Sequence, residues 1–401
     1  MKQKILFVHH GVGIGGAPIS MIKTINKIDK RKYLIKVLLL KDSNLTILLE
    51  ENSIEYEIMD NFFYKKIYQF FPHIVPSNFK WFQIFSIFKY SIFWLLSRYI
   101  FSKIIFKKID ADIVHFNSIV LNDFLFAASK KSRVVLHVRE PLHQGYFGIR
   151  KNIIKHQIKK YTDSVIAISL DNSYRLGLPE KTTIVYNFIE ISKQINFNND
   201  SKKVLYLGGD DITKGFLVVN ESLKYLDHGV KIIFAGNYNY NYTNTNFVRK
   251  IFNKIRLIIS YDYRRKSEAL SNIKLSQNAE YLGLLSNVNS KIDECQILIS
   301  PFTKEHFARP IIEAFARGRP VIASDVQGMS EILDNNINGI LIKNNDAYSL
   351  AQSINMLIQD ISLCEKFGKE GYKKANLLFS EKNVHIIERI YENLTVSKIG
   401  S

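Results

Sequence analysis

The chain has 401 residues, of which 46% are hydrophobic and 23% charged, a composition that excludes a disordered, collagen-like or coiled-coil protein. At about 150 residues per domain, this length favours two domains. Lys and Arg number 55 against 37 Asp and Glu, and the formal charge of +18 favours anionic partners such as phosphates or acidic lipid surfaces. The two cysteines, Cys295 and Cys364, are too few for a disulfide framework or a four-ligand zinc site, which indicates a reducing compartment.

Short apolar runs alternate with helical stretches in the first half, a pattern typical of parallel α/β sheets. Predicted strands cover residues 4–9, 35–40, 112–116, 134–138, 164–167 and 183–186, and predicted helices cover 17–28, 81–107, 123–130 and 149–161. The first strand runs into Gly11-Val12-Gly13-Ile14-Gly15-Gly16, which satisfies the dinucleotide pattern G-x-G-x-x-G, and Asp42 follows the second strand. An NAD-dependent oxidoreductase using the Gly11–Gly16 loop is therefore one alternative, and a tight glycine turn without a dinucleotide is another.

A segment rich in aromatic and basic residues lies between Phe62 and Lys108 and contains no acidic residue. Its uncharged runs are too short for a membrane span, which needs about 20 apolar residues. Such a segment can lie on an anionic membrane surface, or it can form core-packing helices whose lysines extend to solvent. In the membrane-bound alternative, the contact residues are Trp81, Lys89, Trp94, Arg98 and Lys103.

The alternating pattern restarts after a polar stretch, with predicted strands at residues 204–207, 231–235, 280–282, 296–300, 320–323 and 339–342. Near the end of the chain, Val384, Ile387, Tyr391 and Leu394 fall at the spacing of an amphipathic helix. We predict an N-terminal α/β domain over residues 1–190 and a linker over 191–203. A second α/β domain would follow over 204–378, and residues 379–401 would pack back towards the first domain.

The most specific pattern is a strand, loop, helix and strand between residues 300 and 324. Pro310 is predicted to open the helix, so the amides of Ile311 and Ile312 would point out of its N-terminus towards an anion. Glu305 and Glu313 flank this position, and carboxylates beside a phosphate site suit the hydroxyl groups of a sugar or ribose. For Glu313 taken alone, a solvated helix residue is the alternative.

The run EHFARPIIEAFARGRPVIASDVQGMSEI, followed by NGILI, resembles the E-x7-E signature of the family 4 glycosyltransferases, also called group 1. The resemblance implies an α/β fold of the GT-B type, in which two Rossmann-like domains with parallel sheets face an interdomain cleft. It implies that the domain over residues 1–190 binds the acceptor and that the domain over 204–378 binds the nucleotide-sugar. It implies retention of anomeric configuration, a nucleoside diphosphate sugar as donor, no cofactor and no metal ion. By position, Glu305 resembles the carboxylate that contacts the donor sugar, and Glu313 the one that binds the donor ribose.

The basic pair that holds the donor diphosphate in this family is incomplete here. Lys214 and Gly215 match its Lys-Gly, but Gly209 stands where an arginine is usual. Arg309 is then a candidate for the missing charge, since a guanidinium pairs well with phosphate oxygens. Ala308 is a second departure, because a glycine is usual in this loop.

In the first domain, His137 resembles the family's active-site histidine at the end of a strand, and Arg139 and Glu140 follow it as candidates to orient the acceptor. A buried structural histidine is the alternative. Gly15 and Gly16 resemble the family's first glycine loop, which approaches the donor phosphate. The strand-end histidines His9 and His115 have weaker claims.

The resemblance leads us to expect a hexosyltransferase that acts on a glycan or lipid-linked acceptor in cell-envelope polysaccharide synthesis, such as lipopolysaccharide or capsule. With the basic aromatic segment, it implies a cytoplasmic enzyme held peripherally at the inner face of the plasma membrane. We expect no nucleic-acid partner, because no recognition motif is visible. Another nucleotide-sugar enzyme on the same fold, of the epimerase or phosphorylase type, stays open.

Overall fold

The computed structural model describes residues 2–11, 15–69, 84–142, 146–192, 201–238 and 261–396. The chain divides into two compact units: unit 1 is Met1–Phe188 with Glu381–Ser401, and unit 2 is Ile189–Ser380. Each unit contains one parallel β-sheet covered by helices, so the predicted α/β class is confirmed. Among the described helices, none is both long enough and apolar enough to cross a membrane.

The sheet of unit 1 has the strand order β3-β2-β1-β4-β5-β6-β7 in the described residues. Its strands are β1 (Gln3–His9), β2 (Tyr33–Leu39), β3 (Tyr56–Ile58), β4 (Ile113–Phe116), β5 (Arg133–Val138), β6 (Ser164–Ala167) and β7 (Thr182–Ile184). The order of the strands reverses between β1 and β4. In open parallel sheets, ligands bind at such a switch point, beside the carboxyl ends of the strands.

Helices cover both faces of this sheet, because successive side chains of a strand point to opposite faces. Ile5 and Phe7 of β1 belong to one hydrophobic core, and Leu6 and Val8 belong to the other. The helices before residue 188 are α1 (Gly16–Lys27), α2 (Leu45–Glu51), α3 (Ile84–Leu96), α4 (Ser102–Phe106), α5 (Leu125–Ala128), α6 (Ile149–Tyr161) and α7 (Leu170–Leu176). A π-helical turn, Ser97–Phe101, joins α3 to α4.

The sheet of unit 2 has the order β10-β9-β8-β11-β12-β13 in the described residues. Its strands are β8 (Lys203–Tyr206), β9 (Lys231–Ala235), β10 (Ala279–Gly283), β11 (Ile297–Ser300), β12 (Val321–Ser324) and β13 (Gly339–Ile342). Its helices are α8 (Phe216–Ser222), α9 (Tyr261–Leu275), α10 (Val288–Glu294), α11 (Arg309–Phe315), α12 (Met329–Ile332), α13 (Ala347–Gln359) and α14 (Ile361–Leu378). Here the switch point lies between β8 and β11.

The last helix, α15 (Asn383–Val396), belongs to unit 1 although it follows unit 2 in the chain. Its buried side chains Ile387 and Tyr391 pack in the same core as Ile5 and Phe7 of β1. This core also contains Met21 of α1. The final segment of the chain is therefore part of the face of the sheet that carries the strand-end histidines.

Candidate active site

Three loops meet at the carboxyl edge of the unit 2 sheet. The backbone amide of Thr303, in the loop after β11, donates to the carbonyl of Thr213 in the loop after β8 (2.9 Å). The amide of His306 donates to the carbonyl of Gln327, which lies after β12 (3.1 Å). These bonds bring the segments that carry Lys214 and Glu305 together at the switch point of this sheet.

Lys214 lies in a loop whose backbone requires glycine at positions 209 and 215. Gly215 has φ +88°, and a Cβ there would stand 2.0 Å from the carbonyl oxygen of Pro301. Gly209 has φ +60°, and a Cβ there would stand 2.3 Å from the carbonyl oxygen of Asn237. A side chain at position 209 would therefore collide with the backbone that follows β9, which gives a physical reason for the missing arginine.

Arg309 and Glu313 form an ion pair one turn apart on α11, with Nε and Oε1 separated by 2.8 Å. The two side chains are 18% and 20% exposed, so the pair is half-enclosed and still reachable by a ligand. The positive charge of Arg309 is thus shared with Glu313 and also orients that carboxylate.

The start of α11 differs from the expected anion site. The amide of Ile311 donates to the carbonyl of Ala308 (3.2 Å), so it is already engaged, contrary to the expectation of a donor pointing out of the helix. The side chains of Ile311 and Ile312 are fully buried. Ala308 is the cap residue, with extended backbone and no side-chain hydrogen bond, and the helix has only seven residues. The Ile311 amide is therefore not a free donor at this helix end, and the role predicted for the Ile312 amide stays a prediction.

In unit 1, the strand register places His9, Asn117 and His137 side by side. Val8 pairs with Phe116 on β4, and Phe116 pairs with Leu136 on β5. The next residue of each strand therefore stands level with its neighbours at the carboxyl edge of the sheet, beside the switch point. All three side chains are buried.

His137 contacts two groups through its Nδ1 atom. His115 Nε2 lies 3.2 Å away, and a guanidinium nitrogen of Arg139 lies 3.3 Å away. In the part of the chain that the structure describes, the buried Nε2 of His137 has no hydrogen-bond partner. Burial, reinforced by the charge of Arg139, holds the pKa of His137 well below its usual value.

Arg139 and Glu140 form hydrogen bonds with residues of neighbouring loops. Arg139 donates to the side-chain oxygens of Asn117 (2.7 Å) and Asn187 (2.6 Å), and it is only 8% exposed. Glu140 accepts from the Ser118 hydroxyl (2.9 Å), and burial raises the pKa of its carboxyl group. The two residues that were expected to orient an acceptor are therefore held in place by the protein itself.

The glycine loop after β1 leads into α1. Gly11 has φ +74°, and its amide donates to Nδ1 of His9 (3.0 Å). Gly15 caps α1 in an extended conformation, and a Cβ there would meet nothing within 4 Å. Open space therefore lies beside Gly15 at the start of the helix, while residues 12–14 are outside the described residues.

The expected membrane patch is only partly on the surface. Arg98 is 3% exposed and lies 5.0–5.4 Å from the ring centroids of four aromatic residues: Trp94, Tyr99, Phe126 and Tyr161. The prediction that Arg98 contacts a membrane is wrong, because this aromatic cage encloses its guanidinium. Trp94 is half-buried and donates to Asn122 (2.9 Å), whereas Lys89 and Lys103 are exposed. Trp81 lies outside the described residues.

The surface of α3 instead presents an apolar stripe that sequence reasoning had not resolved. It consists of Phe85, Phe88, Ile92 and Leu95, which are 77%, 67%, 38% and 47% exposed. Their spacing of three and four residues places them on one side of the helix. Two further contacts near His137 were not predicted from the sequence. Arg139 donates to Asn117 and Asn187, and His115 lies against the hydroxyl of Tyr391, a residue that the amphipathic pattern of the last helix indicated only as apolar and buried.

Comparisons with known proteins agree with this architecture. Residues 187–374 match the family model described as glycosyl transferases group 1. The chain is 26% identical to an uncharacterized glycosyltransferase of Methanocaldococcus jannaschii, over 76% of this chain and 82% of that protein. It is 21% identical to the N,N'-diacetylbacillosaminyl-diphospho-undecaprenol alpha-1,3-N-acetylgalactosaminyltransferase of Campylobacter jejuni, over 75% and 83% of the two chains.

Among solved structures, Anabaena HepE in complex with UDP and glucose superposes with a TM-score of 0.71 at 19% identity, covering 98% of this chain and 99% of that one. The expected GT-B fold class is thereby confirmed.

Proposed function

We propose that this chain, a group 1 glycosyltransferase, transfers a hexose-type sugar from a nucleoside diphosphate donor to a glycan or lipid-linked acceptor, with retention of anomeric configuration and without a metal ion. The observation that supports this proposal is the backbone hydrogen bond between Thr303 and Thr213, which joins the loop of Glu305 to the loop of Lys214, with the Arg309–Glu313 ion pair on the helix that follows. Cations beside carboxylates at one sheet edge suit a ligand that combines a diphosphate with sugar hydroxyls.

The chemical demand of the reaction is the departure of a diphosphate while positive charge develops on the anomeric carbon. Lys214 supplies positive charge to the leaving group, and Arg309 adds to it through its position beside Glu313. Glu305 accepts hydrogen bonds from the sugar hydroxyls, and Glu313 accepts them from the ribose. Among the described residues, no group of three or more His, Cys, Asp or Glu could hold a metal ion.

Unit 1 contributes His137 as a catalytic residue, with Gly15 and Gly16 offering close approach to a phosphate. Arg139 and Glu140 shape the adjoining surface for the acceptor. The Campylobacter jejuni relative is named for a diphospho-undecaprenol acceptor, and HepE was solved with UDP and glucose. These names support a lipid-linked acceptor, a nucleoside diphosphate hexose and a role in cell-envelope polysaccharide synthesis, such as lipopolysaccharide or capsule.

The surface of unit 1 favours attachment to the inner face of an anionic membrane. Exposed lysines lie on the same helical segment as the α3 stripe: Lys89 within α3, and Lys103 on α4 after the π-helical turn. From residue 61 to residue 109 the chain contains no acidic residue that would repel anionic lipid. An apolar stripe flanked by lysines is the pattern of a helix that lies in the lipid interface.

A ligand panel tests the proposed donor directly. Thermal unfolding is followed with UDP, GDP, ADP, dTDP and NADH, each with and without EDTA. A ligand at ~100 times its Kd stabilises the native state by about 2.7 kcal/mol, which raises Tm by several degrees in a domain of this size. We expect one nucleoside diphosphate to raise Tm equally with and without EDTA. A shift with NADH alone would refute the proposal and favour the glycine loop of unit 1 as the nucleotide site.

A further inference from the structure

Tyr391, His115 and His137 form a hydrogen-bonded triad that links α15 to β5. The Tyr391 hydroxyl on α15 lies 2.7 Å from Nδ1 of His115 on β4. Nε2 of His115 lies 3.2 Å from Nδ1 of His137 on β5. All three residues are at most 3% exposed, and the ring of Phe7 stacks on His115 with 4.4 Å between centroids. Core packing in unit 1 therefore fixes the positions of these three side chains.

One contact fixes which atom donates and which accepts in each hydrogen bond of this triad. A guanidinium can only donate, so the Arg139 nitrogen 3.3 Å from Nδ1 of His137 requires that atom to be an acceptor. His115 must then donate from Nε2 to the same lone pair. With its proton on Nε2, neutral His115 accepts from the Tyr391 hydroxyl at Nδ1.

Both rings are neutral in this arrangement. Burial, with a contribution from the Arg139 charge, lowers the pKa of His115 to about 3 and lowers that of His137 well below its usual value. Each ring therefore carries one proton. Since Nδ1 of His137 is an acceptor, its proton sits on Nε2, the buried atom that has no partner among the described residues.

We propose that Tyr391 and His115 are positioning residues that hold His137 in its Nε2–H tautomer, so that His137 donates a hydrogen bond to a substrate oxygen rather than accepting a proton. This inference rests on the proposed role of His137 in sugar transfer. A hydroxyl or a phosphate oxygen accepts such a bond equally well, and an N–H donor avoids the charge that an imidazolium would bring. The C-terminal helix thus takes part in the reaction through its Tyr391 hydroxyl.

The test compares two tyrosines of the same core. Tyr391→Phe removes the hydroxyl that holds His115. Tyr33 is also buried, and its ring centroid lies 5.7 Å from that of Tyr391. Tyr33→Phe removes a hydroxyl that donates to the Glu388 carbonyl (3.3 Å) and does not belong to the triad. We expect similar losses of thermal stability, but a drop of about tenfold in kcat for Tyr391→Phe alone, the size of one well-placed hydrogen bond. Equal kcat in the two variants would overturn the proposal.

A spectroscopic measurement reads the tautomer without substrate. In protein labelled with ¹⁵N-histidine, protonated and unprotonated ring nitrogens have distinct chemical shifts, and His115→Gln and His137→Gln assign the signals. We expect protonated Nε2 and bare Nδ1 on both rings of the wild type, with mixed tautomers of His115 in Tyr391→Phe. A proton on Nδ1 of His137 in the wild type would overturn the proposal even if transfer depends on Tyr391.

Two substitutions of His115 distinguish the effect of its hydrogen bonds from the effect of its side-chain volume. A glutamine can accept from Tyr391 with its oxygen and donate to His137 with its nitrogen, whereas a leucine can do neither. We expect His115→Gln to retain more transfer activity than His115→Leu. Failure of the proposed function has a different signature. In that case no nucleoside diphosphate stabilises the protein, and the wild type transfers no sugar. Full activity of His137→Ala would overturn this inference and the proposed role of His137, whereas the proposed transfer reaction would stand.

Discussion

Gly209 provides the sharpest test of how the loop after β8 is built. Substitution by alanine forces a side chain into a left-handed conformation at φ +60°, which costs about 1–2 kcal/mol. The new Cβ would also stand 2.3 Å from the Asn237 carbonyl oxygen. That oxygen accepts from the Asp210 amide (3.2 Å), and the Gly209 amide donates to the Ala235 carbonyl (3.1 Å), so the two loops cannot separate without losing both bonds.

We expect Gly209→Ala to cost about 3 kcal/mol in total, which lowers the Tm of unit 2 by roughly 6–12 °C. Gly283→Ala is the matched control, because Gly283 has φ +73° but nothing within 4 Å of its Cβ position. It should cost only about 1 kcal/mol. Thermal unfolding followed by circular dichroism measures both variants. Equal shifts would refute the steric explanation for the missing arginine, as would a Gly209→Arg variant of wild-type stability.

Three further predictions address catalysis, pH and the membrane. Glu305→Gln and Glu313→Gln keep the side-chain shape but lose the charge, and each should lower kcat/KM for the donor about 10- to 100-fold in a transfer assay; wild-type kinetics in both would contradict the site. Burial raises the pKa of Asp123 to about 6, above its unfolded value, so its ionised form destabilises the protein above pH 6 and this penalty disappears as the pH falls towards 4. The stability of the wild type relative to Asp123→Asn should therefore rise between pH 7.5 and pH 5 in urea unfolding, and a constant difference would argue against it. Phe88→Glu and Leu95→Glu should abolish flotation with anionic vesicles at low salt without changing Tm, because both side chains are exposed; unchanged flotation would assign the stripe another role.

The ion pair between Arg309 and Glu313 changes how the donor site is understood. From the sequence, these residues were candidates for two separate tasks, one for the diphosphate and one for the ribose. In the structure they form a single unit, with 2.8 Å between Nε and Oε1. Removing Glu313 takes away the acceptor of the Arg309 Nε, and removing Arg309 takes away a donor to Glu313, so single substitutions here affect both tasks.

The sequence alone predicted most of the strands and suggested a candidate donor site. Each buried parallel strand is a short apolar run of its own, so β6, β9 and β13 were predicted with the bounds that the structure has. The edge strand β3 was missed, because three residues, Tyr56-Glu57-Ile58, are too few to show a periodicity. Glu305 and Glu313 could be proposed from the sequence because their spacing is local, within one loop and one helix, and their roles in donor binding stay predictions.

Tertiary structure alone decided which distant side chains meet. The amphipathic pattern of the last helix indicated that Tyr391 is buried, but not that its hydroxyl would reach His115, 276 positions earlier in the chain. The basic character of Arg98 indicated a surface residue, yet the rings of Phe126 and Tyr161, from two other helices, enclose it. Local periodicity records only whether a residue faces the core. Its partners depend on how separate elements pack, and that packing joins residues with no fixed spacing along the chain.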